Sequence, residues 1–364
     1  MMYRREAPSI WEGEAPAEPP ETPPLKILVT GGAGFIGSNF IRHLLASRPY
    51  ARVTNFDALT YAGNLENLAD VEKDERYRFV KGDITDPEAV GGALTEGYDV
   101  LVNFAAESHV DRSIDSAVPF VRTNVMGTQV LLDEARRHKA GRIVHVSTDE
   151  VYGTVGPGEG FREDTPIHPN SPYAASKAAA DLLVLAAVHT HRIDAFVTRC
   201  SNNYGPYQFP EKLIPLFITN ALQGESLPLY GDGLQVRDWL HVDDHSRAID
   251  LLIDRGSPGE VYNIGTWRPG GEDHTNLGLA RLLLRLLDRP ESLLRHVKDR
   301  PGHDRRYAMD YGRMERLFGW RPQVDLEEGL GRTTRWYAEH RSWWEKVKSG
   351  EYRDYYRRHY GNLL

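Results

Sequence analysis

The stretch LKILVTGGAGFIGSNF, residues 25–40, decides the fold of this 364-residue chain. A short β-rich run, LKILVT, leads through Gly31, Gly34 and Gly37 into GFIGSNFIRHLLASR, whose apolar residues recur with the period of a helix. Glycines between a strand and a helix allow a tight turn and a close approach of backbone N–H groups to a pyrophosphate, at a helix N-terminus that favours negative charge. The stretch therefore predicts a dinucleotide-binding βαβ unit.

Asp57 is the acidic residue that such a unit requires. It ends the strand-like run RVTNFD, 20 residues after Gly37. A carboxylate at this place accepts hydrogen bonds from ribose hydroxyls and repels a 2′-phosphate, which favours NAD over NADP. The alternative, an ordinary glycine turn followed by a surface aspartate, predicts no cofactor. We expect NAD.

Strand-like and helical segments alternate along the following residues. YRFVKGD, DVLVNFAA, GRIVHVS and DAFVTRCSN have the composition of strands, whereas TNVMGTQVLLDEARRH and SPYAASKAAADLLVLAAVHTH have helical spacing. This alternation predicts an α/β fold in which residues 25–200 form a Rossmann-type, doubly wound parallel sheet. Ligands gather at the carboxyl ends of such strands, so the glycines should share a cleft with STDEVYG, which follows a later strand.

The pattern becomes less regular after Cys200. Residues 201–364 therefore predict a smaller α/β lobe that binds the substrate. The helical segment HVDDHSRAIDLLID indicates that the lobes interleave, with a return to the first domain near residues 238–260. We expect the proline-rich residues 1–24, which lack the apolar centre of a signal peptide, to be a disordered tail.

Composition excludes several classes of protein. The 44 basic and 52 acidic residues give a net charge of −8, which argues against nucleic acid or an anionic membrane surface as a partner. The single cysteine, Cys200, excludes an internal disulfide and a multi-cysteine metal site, and we expect no metal. No apolar run reaches the ~18 residues of a transmembrane helix. A cytoplasmic enzyme fits these features.

Two further patterns carry chemistry. In STDEVYG, Thr148, Asp149 and Glu150 follow a buried strand, and buried carboxylates are costly unless they are paired or used, although Thr and Asp are also common at helix caps. Tyr173 and Lys177 lie four residues apart in a predicted helix, and hence on one face. We expect the Lys177 ammonium and a positively charged nicotinamide to lower the pKa of the phenol, whereas a chance surface pair would show no such effect.

From about Leu25 to its end, the chain resembles the dTDP-glucose 4,6-dehydratase family of extended short-chain dehydrogenases/reductases. The resemblance rests on GGAGFIGSNF, DALTYAGNLENL, AAESHVDRSI, STDEVYG, SPYAASKA, NNYGPYQFPEKLIPL, YGDGLQVRDWLHVDDH and DRPGHDRRYAMD. The proline-rich leader departs from the family pattern. So does TWRPGGEDHTN, residues 266–276, which is longer than the family's short polar turn and affects the expected loop geometry near the sugar nucleotide.

The resemblance implies the conversion of dTDP-glucose to dTDP-4-keto-6-deoxyglucose through bound NAD. Tyr173, helped by Lys177, would take the C4 hydroxyl proton while Thr148 hydrogen-bonds the same oxygen. Glu150 would remove the C5 proton and Asp149 would protonate the departing hydroxide. Asp149 must then carry a proton near neutral pH, so its pKa should be raised by burial or by the charge of Glu150.

The resemblance also assigns binding residues. For the cofactor they are Gly31, Gly34, Phe35, Ile36, Gly37, Asp57, Leu59, Thr60, Asp83, Ile84, Ala105, Ala106, Ser108, Thr123, Tyr173, Lys177 and Asn203. For the substrate they are His109, Thr148, Asn202, Lys212, Leu213, Pro228, Tyr230, Arg237, Asn263, Arg300 and His303. A homodimer is expected through the helices NVMGTQVLLDEARR and PYAASKAAADLLVLA.

Three alternatives remain open at this point. A sugar-nucleotide epimerase of the same superfamily would share the glycines, Asp57, Thr148, Tyr173 and Lys177. It would not need the adjacent pair Asp149 and Glu150. A dehydratase could act on UDP-glucose instead, because thymidine follows from resemblance alone. A non-catalytic NAD-sensing or scaffold protein should have lost one of the reactive residues, and none is lost.

Overall fold

The computed structural model describes residues 24–348, so the expected N-terminal tail lies outside the described residues except for its last position. Seven parallel strands form the main sheet, in the order β11-β6-β5-β4-β1-β2-β3. Their bounds are β1 Leu25–Thr30, β2 Ala51–Asp57, β3 Tyr77–Lys81, β4 Val100–Asn103, β5 Arg142–Thr148, β6 Ala195–Cys200 and β11 Val261–Ile264. The order reverses between β1 and β4, which is the switch point where a doubly wound sheet binds its ligand.

Helices cover both faces of this sheet and build the rest of the molecule. They are α1 Phe35–Ser47, α2 Pro87–Leu94, α3 Val110–Asp115, α4 Val118–Phe120, α5 Gly127–Arg137, α6 Pro172–His191, α7 Leu213–Gln223, α8 Val242–Arg255, α9 Asn276–Leu286, α10 Gly312–Phe318, α11 Leu326–Glu339 and α12 Arg341–Val347. A π-helical turn, Val121–Met126, joins α4 to α5. Short 3₁₀ turns span Leu65–Leu68, Asp149–Tyr152 and Glu291–Leu293.

The alternation of side chains along β1 explains the two-layer core. Ile27 and Val29 belong to the hydrophobic cluster that includes α1 and α8, whereas Leu28, between them, belongs to the cluster that includes α2, α5 and α6. Successive residues of a strand point to opposite faces, so a sheet covered on both sides requires continuous apolar runs. The predicted doubly wound α/β fold is confirmed.

The chain returns to this sheet after leaving it. Helix α8 packs beside α1, where Asp250 accepts hydrogen bonds from Arg48 and from His43, and β11 pairs with the edge of β6. The predicted return near residues 238–260 includes α8 but stops just before β11. That strand has four residues and follows irregular sequence, so its periodicity carries little signal.

A second core forms among α7, α9, α11 and α12, around Phe217, Leu283, Tyr337 and Trp344. Three small two-stranded sheets accompany it. They pair β7 Asn202–Tyr204 with β10 Trp239–His241, β8 Leu227–Tyr230 with β13 Leu294–Val297, and β9 Val236–Arg237 with β12 His274–Thr275. Within residues 24–348, no helix has both the length and the apolarity needed to cross a bilayer.

Candidate active site

The glycine turn between β1 and α1 is packed backbone to backbone. Gly31 has a φ of +69°, and a Cβ on it would lie 2.6 Å from the Ala105 nitrogen. A Cβ on Gly37 would lie 2.4 Å from the Gly31 carbonyl oxygen, and one on Gly34 would lie 3.3 Å from the same atom. The turn therefore has no room for side chains at Gly31 and Gly37, which leaves the start of α1 open to a ligand.

Asp57 fixes this turn from the end of β2. Its Oδ2 accepts the N–H of Ala33 at 2.9 Å, and its Oδ1 accepts the N–H of Leu59 at 2.8 Å. Burial raises the pKa of the Asp57 carboxyl, and these two hydrogen bonds lower it. The buried carboxylate lines the cleft beside the glycines, where ribose hydroxyls can donate to it.

A cleft of about 310 Å³ runs along the carboxyl ends of the strands. It is lined by every residue predicted to bind the cofactor except Leu59, whose backbone N–H is used by Asp57. The reactive residues Thr148, Asp149, Glu150, Tyr173 and Lys177 line the same cleft. The glycine cradle, the buried acid and the long cleft fit a dinucleotide.

Thr148 ends β5 and caps the 3₁₀ turn that follows. Its hydroxyl accepts the N–H of Glu150 at 3.3 Å and donates to Oδ1 of Asp149 at 3.1 Å. The helix-cap interpretation of STDEVYG and the catalytic one are therefore both compatible with the same geometry. The cap orients the two carboxylates as the chain leaves the sheet.

Asp149 and Glu150 are adjacent, but their surroundings differ. Asp149 is 1% exposed, and its pKa is raised well above the ordinary value by burial, by the charge of Glu150 and by that of Asp238. Burial also raises the pKa of Glu150, but three cations oppose this effect. The raised pKa of Asp149 agrees with the prediction. Different surroundings of this kind separate the pKa values of two carboxyl groups, so that one can act as an acid and the other as a base.

The three cations that oppose the raised pKa of Glu150 are Arg300, Lys212 and Arg237. The Lys212 ammonium donates to the carbonyl of Ser108 at 2.7 Å. Arg300 reaches Asp111 at 3.4 Å. These predicted substrate residues come from three distant parts of the sequence and surround the base, where a diphosphate would also find positive charge.

Tyr173 is the phenol whose pKa we expect to be lowered once the cofactor is bound. In the protein alone its pKa is raised well above 10, by burial first and then by the charges of Glu150 and Cys200, while an interaction with the Thr148 hydroxyl lowers it. Lys177 donates to the carbonyl of Val146 at 2.7 Å, and burial lowers its own pKa. Without the cofactor, a buried phenol beside a carboxylate resists ionisation. The lowering expected from Lys177 together with the nicotinamide concerns the cofactor-bound protein and stays a prediction.

Asn263, which was predicted to contact the substrate, does not line the cleft. The residue is fully buried in β11. Its amide nitrogen donates to the carbonyl of Phe161 at 3.0 Å, and its oxygen accepts from the hydroxyl of Tyr152 at 2.8 Å. Both polar groups of the side chain are occupied, so Asn263 holds the segment after Glu150 against the sheet.

The other predicted substrate residues make different contacts. Asn202 lines the cleft, and Arg237 is tied to the carbonyls of Val236 and Asp304. His303 pairs with Asp299 at 2.6 Å and lies edge-on to the ring of Tyr230.

Leu213 begins α7 and packs against the second core, and Pro228 lies in β8 opposite Arg295. His109 caps α3 by accepting the N–H of Arg112. None of these three residues lines the cleft.

Two acidic residues of this region were missed. Glu211 lines the cleft, accepts from the hydroxyl of Tyr61 at 3.2 Å, and has a pKa raised to about 7 by burial. Asp111 accepts from Tyr230 and from Arg300, both at 3.4 Å. Both lie inside quoted motifs: Glu211 is adjacent to Lys212, and Asp111 is two residues after His109. Closeness in sequence to a predicted binding residue was therefore the available signal.

The longer segment after β11 packs against the same region. Trp267 lies against Gly160, and Asp273 pairs with Arg306 at 2.8 Å. His274 pairs in register with Arg237. The segment thus supports the strand that carries Arg237. No group of His, Cys, Asp and Glu within the described residues is arranged to hold a metal ion.

Comparison with known proteins gives consistent matches over most of the chain. The family model described as GDP-mannose 4,6 dehydratase matches residues 28–333. The dTDP-glucose 4,6-dehydratase of Streptomyces niveus is 53% identical over 329 residues, which are 89% of this chain and 96% of that protein. The Escherichia coli enzyme of the same name is 46% identical over 358 residues, 90% of this chain and 98% of that protein.

Solved structures of related proteins match the chain in the same way. DesIV, a dTDP-glucose 4,6-dehydratase from Streptomyces venezuelae crystallised with NAD, superposes with a TM-score of 0.86 at 54% identity, covering 89% of this chain and all of that one. The UDP-glucose 4-epimerase of Thermotoga maritima gives a TM-score of 0.80 at 30% identity, covering 86% and 99%. The dehydratases therefore match at higher identity than this epimerase, and the chain belongs to the dTDP-glucose 4,6-dehydratase family.

Proposed function

We propose that this chain converts dTDP-glucose to dTDP-4-keto-6-deoxyglucose and water, with NAD as a bound cofactor. The observation that carries the proposal is the cluster of Thr148, Asp149, Glu150 and Tyr173 in the cleft that also holds the glycine cradle. The names of the related proteins, and the NAD in a solved relative, support the same substrate and cofactor.

The cofactor would lie along the glycine turn, with a ribose at Asp57. Both sites fit: a side chain at Gly31 or Gly37 would collide with backbone, and the Asp57 carboxylate is buried but still lines the cleft. When bound, NAD accepts a hydride from C4 and returns it to C6. The residues of the chain bind, orient and move protons around that transfer.

Four side chains divide the proton transfers. Tyr173 takes the proton of the C4 hydroxyl, and Thr148 hydrogen-bonds the same oxygen. The resulting C4 ketone acidifies the C5 proton, which Glu150 removes. Asp149, whose protonated form is favoured by burial and by its charged neighbour, gives its proton to the hydroxide leaving C6. Glu150 then returns its proton to C5.

The carboxylate pair distinguishes this function from epimerisation. An epimerase only has to remove and return the C4 hydride, so it has no use for an acid and a base at C5 and C6. Here Asp149 and Glu150 both line the cleft. The cations Lys212, Arg237 and Arg300 favour the ionised form of Glu150, whereas at Asp149, whose pKa is raised by burial, Arg237 opposes the rise.

The test is incubation of the pure protein with dTDP-, UDP- and GDP-glucose, followed by mass measurement of the products. Loss of one water from dTDP-glucose, with little turnover of the other two, is expected. Interconversion without loss of water would show an epimerase, and preferred dehydration of UDP-glucose would replace the thymidine assignment.

We also propose a homodimer formed through α5 and α6. Val118, Val121, Met126 and Leu182 are exposed apolar residues on α4, the π-helical turn and α6, with exposed fractions of 75, 53, 46 and 56%. Apolar side chains concentrated on neighbouring helices suit a subunit contact. Sedimentation should give a dimer, and Leu182→Glu should dissociate it; a wild-type monomer would contradict the proposal.

A cytoplasmic location is proposed with it. Cys200 is the single cysteine of the chain, and it is buried and unpaired. Such a thiol suits a reducing compartment. Fractionation of cells that express the protein tests the location, and recovery outside the cytoplasm would contradict it.

A further inference from the structure

Tyr152 ends the 3₁₀ turn Asp149–Tyr152, the acid–base turn, but it does not line the cleft. The residue is 3% exposed. A 3₁₀ turn has poor internal hydrogen-bond geometry, so the place of this turn depends on its contacts with the rest of the fold. That place matters for the proton transfers assigned to the two carboxyl groups of the turn, because a misplacement of about 1 Å can cost ~10²-fold in rate.

Two buried side chains hold the hydroxyl of Tyr152. It accepts an N–H of Arg199 at 2.8 Å and donates to Oδ1 of Asn263 at 2.8 Å. Burial raises the pKa of the Tyr152 phenol to about 12, so the hydroxyl keeps its proton near neutral pH and can make both hydrogen bonds. A hydroxyl that accepts from one partner and donates to another is fixed in direction as well as in place.

The ring of Tyr152 is held separately from its hydroxyl. It stacks on Phe161 with 5.0 Å between the ring centroids, and the Arg199 guanidinium carbon lies 4.7 Å from its centroid. Tyr152 also shares a hydrophobic cluster with Ala178, the neighbour of Lys177 on α6. Removal of the hydroxyl alone should therefore leave the ring packed and break only the hydrogen bonds.

Arg199 connects this hydroxyl to α6. Its Nε donates to Asp181 at 2.8 Å, and both side chains are almost completely buried. Asp181 lies one helical turn after Lys177, on the same face of α6. A guanidinium group presents several N–H groups in one rigid plane, so Arg199 can hold Asp181 and Tyr152 at a fixed separation.

We propose that Tyr152 is a positioning residue: its hydroxyl, held by Arg199, fixes the acid–base turn relative to α6. The inference rests on the proposed function, in which α6 carries Tyr173 and the turn carries Glu150. Hydride removal at C4 depends on Tyr173, whereas elimination across C5 and C6 depends on the carboxyl groups of the turn. A loosened turn should therefore slow elimination and leave hydride removal unchanged.

The experiment is rapid mixing of Tyr152→Phe with dTDP-glucose. Phenylalanine keeps the ring and removes the hydroxyl. The absorbance of bound NADH reports hydride removal, and the mass of the products in quenched samples reports loss of water. NADH should form at the wild-type rate, whereas loss of water should slow on the order of 10-fold, less than the ~10²-fold that a displacement of about 1 Å can cost. Bound NADH should therefore accumulate.

Tyr262→Phe is the matched control. Tyr262 is 1% exposed in β11, directly before Asn263, and its hydroxyl accepts the N–H of Ser257 at 2.9 Å. This variant also loses one buried hydroxyl, but that hydroxyl binds the loop before β11 and not the acid–base turn. Bound NADH should not accumulate in it.

Arg199→Lys provides a second test from the other side of the hydrogen bond. The lysine ammonium keeps a positive charge for Asp181, but its single nitrogen lacks the rigid plane of N–H groups that serves Asp181 and Tyr152 together. Bound NADH should accumulate in this variant as well.

Three outcomes decide the matter. Accumulation of bound NADH in Tyr152→Phe and Arg199→Lys, but not in Tyr262→Phe, supports the positioning role. Equal slowing of hydride removal and water loss, wild-type rates of both, or accumulation that also occurs in Tyr262→Phe overturns it and leaves the proposed function intact. A wild-type protein that forms no dehydrated product overturns the proposed function, and this inference with it.

Discussion

A comparison of Gly37→Ala with Gly92→Ala tests why the turn between β1 and α1 requires glycine at position 37. Both glycines lie in helices, Gly37 in α1 and Gly92 in α2. Alanine is favoured over glycine by roughly 0.5–1 kcal/mol inside a helix, and both variants gain this amount. They differ in what the new Cβ meets. At Gly92 nothing lies within 4 Å, whereas at Gly37 the Gly31 oxygen lies at 2.4 Å and the Gly32 Cα at 2.8 Å.

The size of the effect follows from these contacts. Ordinary contacts of a Cβ begin near 3.4 Å, so the Gly31 carbonyl must move by about 1 Å in Gly37→Ala. Overpacking of this kind costs roughly 1–3 kcal/mol. The two variants should therefore differ by about 1–3 kcal/mol in the free energy of unfolding, with Gly92→Ala more stable than the wild type. The moved turn should also lose affinity for the proposed NAD.

Two measurements check this reasoning. Urea unfolding of the cofactor-free proteins gives the stability difference, free of the contribution of bound ligand. NAD released by denaturation of the purified proteins gives the occupancy, which should fall in Gly37→Ala and stay unchanged in Gly92→Ala. A Gly37→Ala protein as stable as Gly92→Ala, with wild-type NAD content, would refute the close-packing argument.

Three other predictions concern proton-transferring and buried groups. Glu150→Gln should still oxidise C4 but stall before elimination, so bound NADH should build up in absorbance; normal 6-deoxy product would remove Glu150 from the mechanism. Tyr173→Phe should slow turnover about 10²–10⁴-fold, because the proton acceptor is lost. Lys177→Met should shift the rise of the pH–rate profile to higher pH, because the ionised phenol of Tyr173 loses its neighbouring cation. An unmoved profile would contradict this role of Lys177. His245 is fully buried, and burial lowers its pKa to about 3. The unfolded chain, with a His pKa of about 6.5, binds more protons between these values, so stability should fall by roughly 2 kcal/mol from pH 7 to pH 5. His245→Asn should lack this part of the decrease in urea midpoints; an unchanged decrease would be the contrary result.

Local sequence was sufficient to predict most strands of the main sheet. The strands of residues 25–200 are continuous apolar runs because both faces are covered, and such runs can be read without knowing their neighbours. The glycine turn is equally local, since its strand, loop and helix follow one another. Thr148, Asp149 and Glu150 could be placed in the cleft because the end of a parallel strand determines where they point.

Other features of the site could not be predicted, because they depend on contacts between distant parts of the chain. Asn263 was assigned to the substrate by resemblance, but its contacts with Tyr152 and Phe161, about a hundred residues away, keep it buried. The pKa of Tyr173 depends on Glu150, which no helix periodicity connects to it. Similarly, the position of Arg300 beside Glu150 results from folding of the second core, which sequence periodicity does not describe.

The late return of β11 to the sheet has a consequence for synthesis on the ribosome. Until residue 264 has emerged, the outer edge of β6 has no partner, although the chain up to Cys200 could already have formed the other strands. At about 5–20 residues per second, the intervening residues take several seconds to translate. During that time an apolar edge strand is available for pairing with other chains, which is the condition under which nascent proteins aggregate. Slowing translation between these points should increase the demand for chaperones, whereas a circularly permuted gene that begins with β11 should reduce it.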